Sequence, residues 1–227
     1  MLDFNQFFQA CSGFWQIERT YHDLVAGEID RSHTEYRVNS LTVSEKQALL
    51  SLSPLGTLVD ELKNYFPEQS LDTHLDGAAG TIHQLGCPGF GISFDTISEK
   101  GEQVSMHLKA LFIPYQFVKN YEVFMPSENF PIAAELPKTE EAIQGFYLRD
   151  EGYSESGLIQ SSFTYLPSRQ TLEMTTFYRR SIAVDQMRFV APGLRLRTII
   201  TYEKPPAGEV PEVITLVGFG VEKRQPA

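Results

Sequence analysis

Two arginines separated by one leucine, Arg195 and Arg197, close the segment Asp185-Gln-Met-Arg-Phe-Val-Ala-Pro-Gly-Leu-Arg-Leu-Arg-Thr198. Side chains alternate along a strand, so both guanidiniums share one face and Leu194 and Leu196 share the other. A guanidinium presents a planar fork of donors and keeps its charge at any physiological pH. Two of them side by side can grip a pair of carboxylates, and Asp185, one strand earlier, is placed to lie across from them. The same pattern also describes an ordinary half-buried strand with its leucines in the core and its arginines in water. The segment by itself leaves both readings open.

Other chemistries find little support. No GxSxG motif occurs, and Ser156-Gly157 falls in a polar turn without the strand–turn–helix setting a nucleophilic serine needs. Gly86-Cys-Pro-Gly-Phe-Gly91 is glycine-rich, yet it matches neither phosphate-binding pattern and reads as a tight loop. His22, His33, His74, His83 and His107 are scattered, without HxH or HExxH spacing, and no metal site is expected. Cys11 and Cys87 form no CxxC. They suggest a soluble protein of a reducing compartment, the cytoplasm.

The elements that must position these side chains are mostly strands. Phe4, Phe7, Phe8 and Cys11 fall on one face of a short helix over residues 3–12, with Asp3 as its N-cap. In the strand from Phe14 to His22, Trp15, Ile17, Arg19 and Tyr21 face one way and Gln16, Glu18, Thr20 and His22 the other. A second strand is expected over Ser32–Leu41. A helical insert follows over residues 42–66, opened by the capping box Thr42-Val-Ser-Glu45 and continued by a helix that starts at Pro54 and stops at Pro67. Further strands are expected over Ala79–Leu85, Gly91–Ser98, Glu102–Ile113, Phe117–Phe124, Ala142–Arg149, Gly157–Tyr165, Thr171–Arg179, Ile182–Ala191, Leu194–Glu203 and Val213–Glu222. Short spacing and turns such as Lys100-Gly101 and Pro192-Gly193 predict a single all-β domain spanning residues 1–227, an antiparallel barrel or sandwich with one short helical insert.

Composition narrows the partners. The 227 residues are 42% hydrophobic, enough for a sizeable core, and the net charge is −10. An acidic chain without a basic run is a poor match for nucleic acid or an anionic membrane surface. No apolar run approaches the ~20 residues of a spanning helix. A barrel of this length with many aromatics can instead hold a planar ligand in its mouth or lumen.

Taken in order, several motifs resemble the S-type (CpcS/CpeS-type) phycobiliprotein lyases. They are Phe7-Phe8, Ser12-Gly-Phe-Trp15, Arg19-Thr-Tyr-His22, Gly91-Ile-Ser-Phe-Asp95, Gly145-Phe-Tyr-Leu-Arg-Asp-Glu-Gly-Tyr153, Asp185 through Thr198, and Gly218-Phe-Gly-Val-Glu-Lys-Arg224. The resemblance implies a lipocalin-like antiparallel barrel of about ten strands. It also implies binding of a phycobilin, an open-chain tetrapyrrole, and its thioether attachment to a cysteine of an apo-phycobiliprotein subunit. By this similarity Asp185 and Glu222 are the catalytic carboxylates, set against pyrrole nitrogens. Arg195 and Arg197 hold the propionates, Arg19 and His22 complete the rim, and Phe94 contacts the substrate. Asp185 stands where the family usually has Glu, and Phe94 where it has Trp. The bilin is implied as substrate, with no permanent cofactor. A bilin carrier that does not catalyse transfer, or a partner subunit in a homo- or hetero-dimeric lyase, is the alternative.

Overall fold

The computed structural model describes residues 1–62, 65, 86–125, 131–153 and 155–226. Among them, ten strands close into one antiparallel barrel in the order β1-β10-β9-β8-β7-β6-β5-β4-β3-β2. They are β1 (Gly13–Asp23), β2 (Glu28–Ser40), β3 (Gly89–Ser98), β4 (Gln103–Pro114), β5 (Ile143–Arg149), β6 (Ile159–Leu166), β7 (Thr171–Phe177), β8 (Ser181–Ala191), β9 (Leu194–Glu203) and β10 (Ile214–Arg224). Each strand pairs antiparallel with the next in sequence, and β10 returns to pair with β1, so no edge is left open. The expected lipocalin-like barrel is the observed fold.

One expected strand is not a strand. Residues 117–124 instead form two 3-10 turns, Tyr115–Phe117 and Tyr121–Phe124, separated by Asn120 in the left-handed region at φ 53°. The aromatic residues that mimic strand periodicity there serve another purpose: Tyr115 and Tyr121 stack at 4.5 Å and cover Phe146 from outside. The expected strand Ala79–Leu85 lies outside the described residues.

Helix α1 (Phe4–Cys11) carries the capping box predicted at Asp3, completed by Gln6. Its apolar face enters the barrel end, where Phe4, Phe7 and Phe8 pack among Trp15, Phe112, Phe163 and Tyr165. The Trp15 indole N–H donates to the Cys11 carbonyl at 2.9 Å, and the Tyr165 hydroxyl to the Leu2 carbonyl at 2.8 Å. This helix is the plug of the barrel.

The helical insert packs against the outside of the barrel wall. Helix α2 (Val43–Ser51), capped at Thr42 as expected, is followed by a 3-10 turn (Pro54–Leu58) and α3 (Val59–Leu62). Leu49, Leu50, Leu55 and Leu62 pack on the outer faces of β4 and β5 against Leu111, Ile113, Phe146 and Leu148. Those strands are therefore apolar on both faces, as a strand buried from two sides must be.

Candidate functional site

On β9 the faces are the reverse of the ordinary half-buried strand. Arg195 is 1% and Arg197 8% exposed, whereas Leu196 is 42% exposed on the barrel's outer surface. Both arginines point into the lumen, and what lets them do so lies on the neighbouring strands. Glu222 of β10 is directly opposite Arg195, and Gly220 is opposite both Arg197 on β9 and Arg19 on β1. Residues paired across a sheet share a face, so the inward row of β10 reads Gly218, Gly220, Glu222. A Cβ at Gly220 would stand 3.3 Å from both Arg19 Cγ and Arg197 Cβ, and one at Gly218 would meet the Tyr21 ring at 2.8 Å. The two glycines make the room that lets an arginine and a tyrosine from β1 lie beside β9's arginine.

The charged groups form one network. Arg197 makes a two-pronged contact with Asp185, Nε to Oδ1 at 2.7 Å and Nη2 to Oδ2 at 2.6 Å, and its Nη1 reaches Glu222 Oε1 at 3.4 Å. Arg195 Nη2 stands 2.7 Å from Glu222 Oε2, an ion pair off the N–H axis without an aligned hydrogen bond. Its guanidinium lies 3.7 Å over the Trp15 ring, on top of the aromatic plug. Arg19 Nη2 is 3.7 Å from Glu222 Oε1. Burial pushes the Glu222 carboxyl up, but Arg195, Arg197 and Arg19 outweigh it and hold the group down to about 2. The same network drives the Arg197 guanidinium upward against its burial.

Above this network the lumen opens into a cavity of about 450 Å³, within the usual size of small-molecule sites. Asp185, Arg197, Arg19, Tyr21 and Phe94 line it, together with Tyr147, Arg149, Tyr153 and Tyr178. Asp185 is the carboxylate that faces the cavity, with its side chain 19% exposed.

Of the residues singled out in the sequence, Arg19, Asp185, Arg195, Arg197 and Glu222 are brought together, and Phe94 lies on the cavity wall. Two placements differ from expectation. His22 is on the outer face of β1, where its ring packs edge-on against Phe219 at 6.2 Å, because strand alternation separates it from Arg19 and Tyr21. Glu222 is fully buried beneath the cavity among guanidiniums and does not line it. His74 and His83 lie outside the described residues.

Arg149 is the cavity residue sequence reasoning missed. It is 2% exposed, its Nη2 donates to the Tyr178 hydroxyl at 2.7 Å, and its guanidinium lies 4.6 Å from the Tyr153 ring centre. The signal was present in Tyr147-Leu148-Arg149, where alternation with a buried tyrosine puts the arginine on the inner face.

Comparison with known proteins identifies the family. The family model described as CpeS-like protein matches residues 3–57 and 83–225. The chain belongs to the CpeS-like family. It is 36% identical, over 97% of its length and 96% of the relative's, to Chromophore lyase CpcS/CpeS 1 of Synechococcus sp. (strain JA-3-3Ab). The S-type phycobiliprotein lyase CPES from Guillardia theta superposes with a TM-score of 0.61 at 16% identity, over 100% of this chain and 95% of that one, which shows the shared barrel.

Proposed function

We propose that this CpeS-like protein is a chromophore lyase that holds a phycobilin in its lumen and promotes thioether attachment to a cysteine of a phycobiliprotein subunit, in the cytoplasm. The observation that carries this reading is the cavity-facing Asp185 held by a buried arginine, in a chain that is 36% identical along nearly its whole length to a named chromophore lyase.

The reaction adds a thiol across an exocyclic double bond of ring A. The carbon–sulfur bond forms at the exocyclic carbon, the π bond breaks, and the thiol proton ends on the ring carbon. The nucleophile belongs to the acceptor protein, so this chain's buried Cys11 and Cys87 take no part. What the lyase supplies is position and charge. Asp185 accepts hydrogen bonds from pyrrole N–H groups, which favours the protonated, electrophilic tetrapyrrole. Arg197 occupies two edges of the Asp185 carboxylate and leaves its remaining lone pairs aimed at the cavity. Glu222 acts one layer down: it neutralises part of the charge of Arg195, Arg197 and Arg19 and so fixes Arg197 in place. Phe94 and the lumen tyrosines supply flat apolar surface for the pyrrole rings.

The test is a two-step assay. Phycocyanobilin is mixed with the purified protein and the visible spectrum followed; an apo-phycobiliprotein subunit is then added and acid-stable covalent colour measured. A red-shifted, saturable complex followed by faster attachment than in the bilin-only control is expected. Saturable binding without accelerated transfer would make the protein a carrier, and no spectral change would remove the bilin from the reading altogether.

A further inference from the structure

Among the described residues, the cavity and the layer beneath it bring together four guanidiniums, Arg19, Arg149, Arg195 and Arg197, and two carboxylates, Asp185 and Glu222, with Asp30 further out on the inward row of β2. Arg19 and Arg195 pair with Glu222, and Arg197 with both Glu222 and Asp185. Arg149 pairs with neither. Among the described residues no carboxylate lies within ion-pair distance of it, and its buried Nε has no hydrogen-bond partner. A guanidinium at 2% exposure is costly to bury without a counter-charge, and the tyrosine hydroxyl and ring faces around it offset only part of that cost.

Its place in the barrel is as telling as its pairing. Strand β5 stands five places from β10 around the ring of ten, so Arg149 is on the wall opposite Gly218, Gly220 and Glu222. In a phycobilin the two propionates sit on the two inner rings, on the edge away from the pyrrole nitrogen. A chromophore with its nitrogens toward Asp185 on β8 turns its carboxylate edges away from that acid, and Arg149, three strands round the ring, is a cavity-lining guanidinium that no carboxylate among the described residues engages. Arg195 and Arg197 cannot receive the propionates readily. The three nitrogens of Arg197 already serve Asp185 and Glu222, and Arg195 is outside the main cavity, between Trp15 and Glu222.

We infer that Arg149, aimed by the Tyr178 hydroxyl and backed by the Tyr153 ring, is the subsite that binds a propionate of the chromophore. This assignment rests on the bilin reading above and adds to it which wall the carboxylate edge faces. It also gives the unpaired guanidinium of the cavity wall a purpose, since the ligand brings the carboxylate that Arg149 lacks.

The experiment compares phycocyanobilin with its dimethyl ester, by visible-absorbance titration of wild type, Arg149→Gln, Arg149→Lys and Tyr178→Phe, with a thermal melt of each. Wild type should bind the diacid at least roughly tenfold more tightly than the ester, the scale of one charge-assisted hydrogen bond. Arg149→Gln should lose roughly tenfold or more for the diacid and change less than about twofold for the ester, and Arg149→Lys should recover part of the loss. Equal weakening of diacid and ester would assign Arg149 a structural role and overturn the proposal, as would no weakening of either. Should Arg149→Gln fail to fold, wild type and Tyr178→Phe decide: equal affinity of wild type for diacid and ester overturns the subsite, and Tyr178→Phe should lose diacid affinity selectively. Wild type that binds neither compound overturns the bilin reading and the subsite together, whereas failure of the subsite alone leaves bilin binding intact.

Discussion

Replacing Glu222 by Gln should destabilise the folded barrel by about 3 kcal/mol at neutral pH, and two routes lead to that figure. The carboxyl is held at about 2 in place of 4.5, and at about 1.4 kcal/mol per pH unit this depression corresponds to about 3 kcal/mol. Removing one partner of a buried ion pair, independently, costs about 3–5 kcal/mol because the other charge is stranded. Here the stranded charges are Arg195 and, more weakly, Arg197 and Arg19, at 2.7, 3.4 and 3.7 Å. For a chain of this length the loss should appear as a fall in Tm of roughly 6–12 °C. The pH dependence gives the sharper check. A carboxyl depressed in the folded state contributes its stability above its unfolded value and loses it as pH falls toward the folded one. The difference between wild type and Glu222→Gln should therefore be full above about pH 5 and shrink below about 1 kcal/mol by pH 2. Urea unfolding can be followed by the fluorescence of the single tryptophan, Trp15, which lies under Arg195 and reports on the site itself. A difference below 1 kcal/mol at pH 7, or one that stays constant from pH 6 to pH 2, would refute the reasoning.

Asp185→Asn keeps the shape of the cavity wall while removing the charge, so covalent transfer should fall by roughly 10²–10⁴, the usual worth of acid–base assistance, while bilin affinity changes by less than about tenfold. The transfer assay and the absorbance titration measure the two effects separately. Glu173, on the outer face of β7, is pushed up to about 7 mainly by burial, with Glu135 adding to it and the N–H groups of Leu136 and Gln186 opposing. A carboxyl raised in the folded state lowers stability as pH climbs from its unfolded value through its folded one, so wild type should lose roughly 3 kcal/mol between about pH 4.5 and pH 8 from this group. Glu173→Gln should flatten that slope in denaturation curves taken across the range. Gly145→Ala should destabilise by roughly 1–3 kcal/mol or more, because the new Cβ would lie 2.2 Å from the Ile113 carbonyl oxygen and 2.4 Å from the Phe163 ring, and thermal melts will show it.

The sequence determined the architecture closely. Alternation and turn residues placed ten strands near their observed positions, and the side-chain caps at Asp3 and Thr42 were readable because capping is local chemistry. Tyr115 to Phe124 escaped that logic, since its aromatics face the helical insert and the outer wall, a contact between segments that no local pattern records. Alternation also showed that Arg195 and Arg197 share a face and that His22 does not share one with Arg19. It could not say which face of β9 is the inside. That was decided by β10 lying between β9 and β1: its pairing with β9 puts Glu222 against Arg195, and its two inward glycines make space for Arg19 and Tyr21 of β1. The same arrangement buried Glu222 beneath the cavity and left Asp185 facing it. Arg149 gained its meaning only when the ring of strands carried it to the cavity wall opposite Glu222 and away from both acids. The face a side chain occupies is a property of its own strand. Whether that face meets water, a counter-charge or an empty lumen is a property of the strands around it, which the chain brings together only by folding.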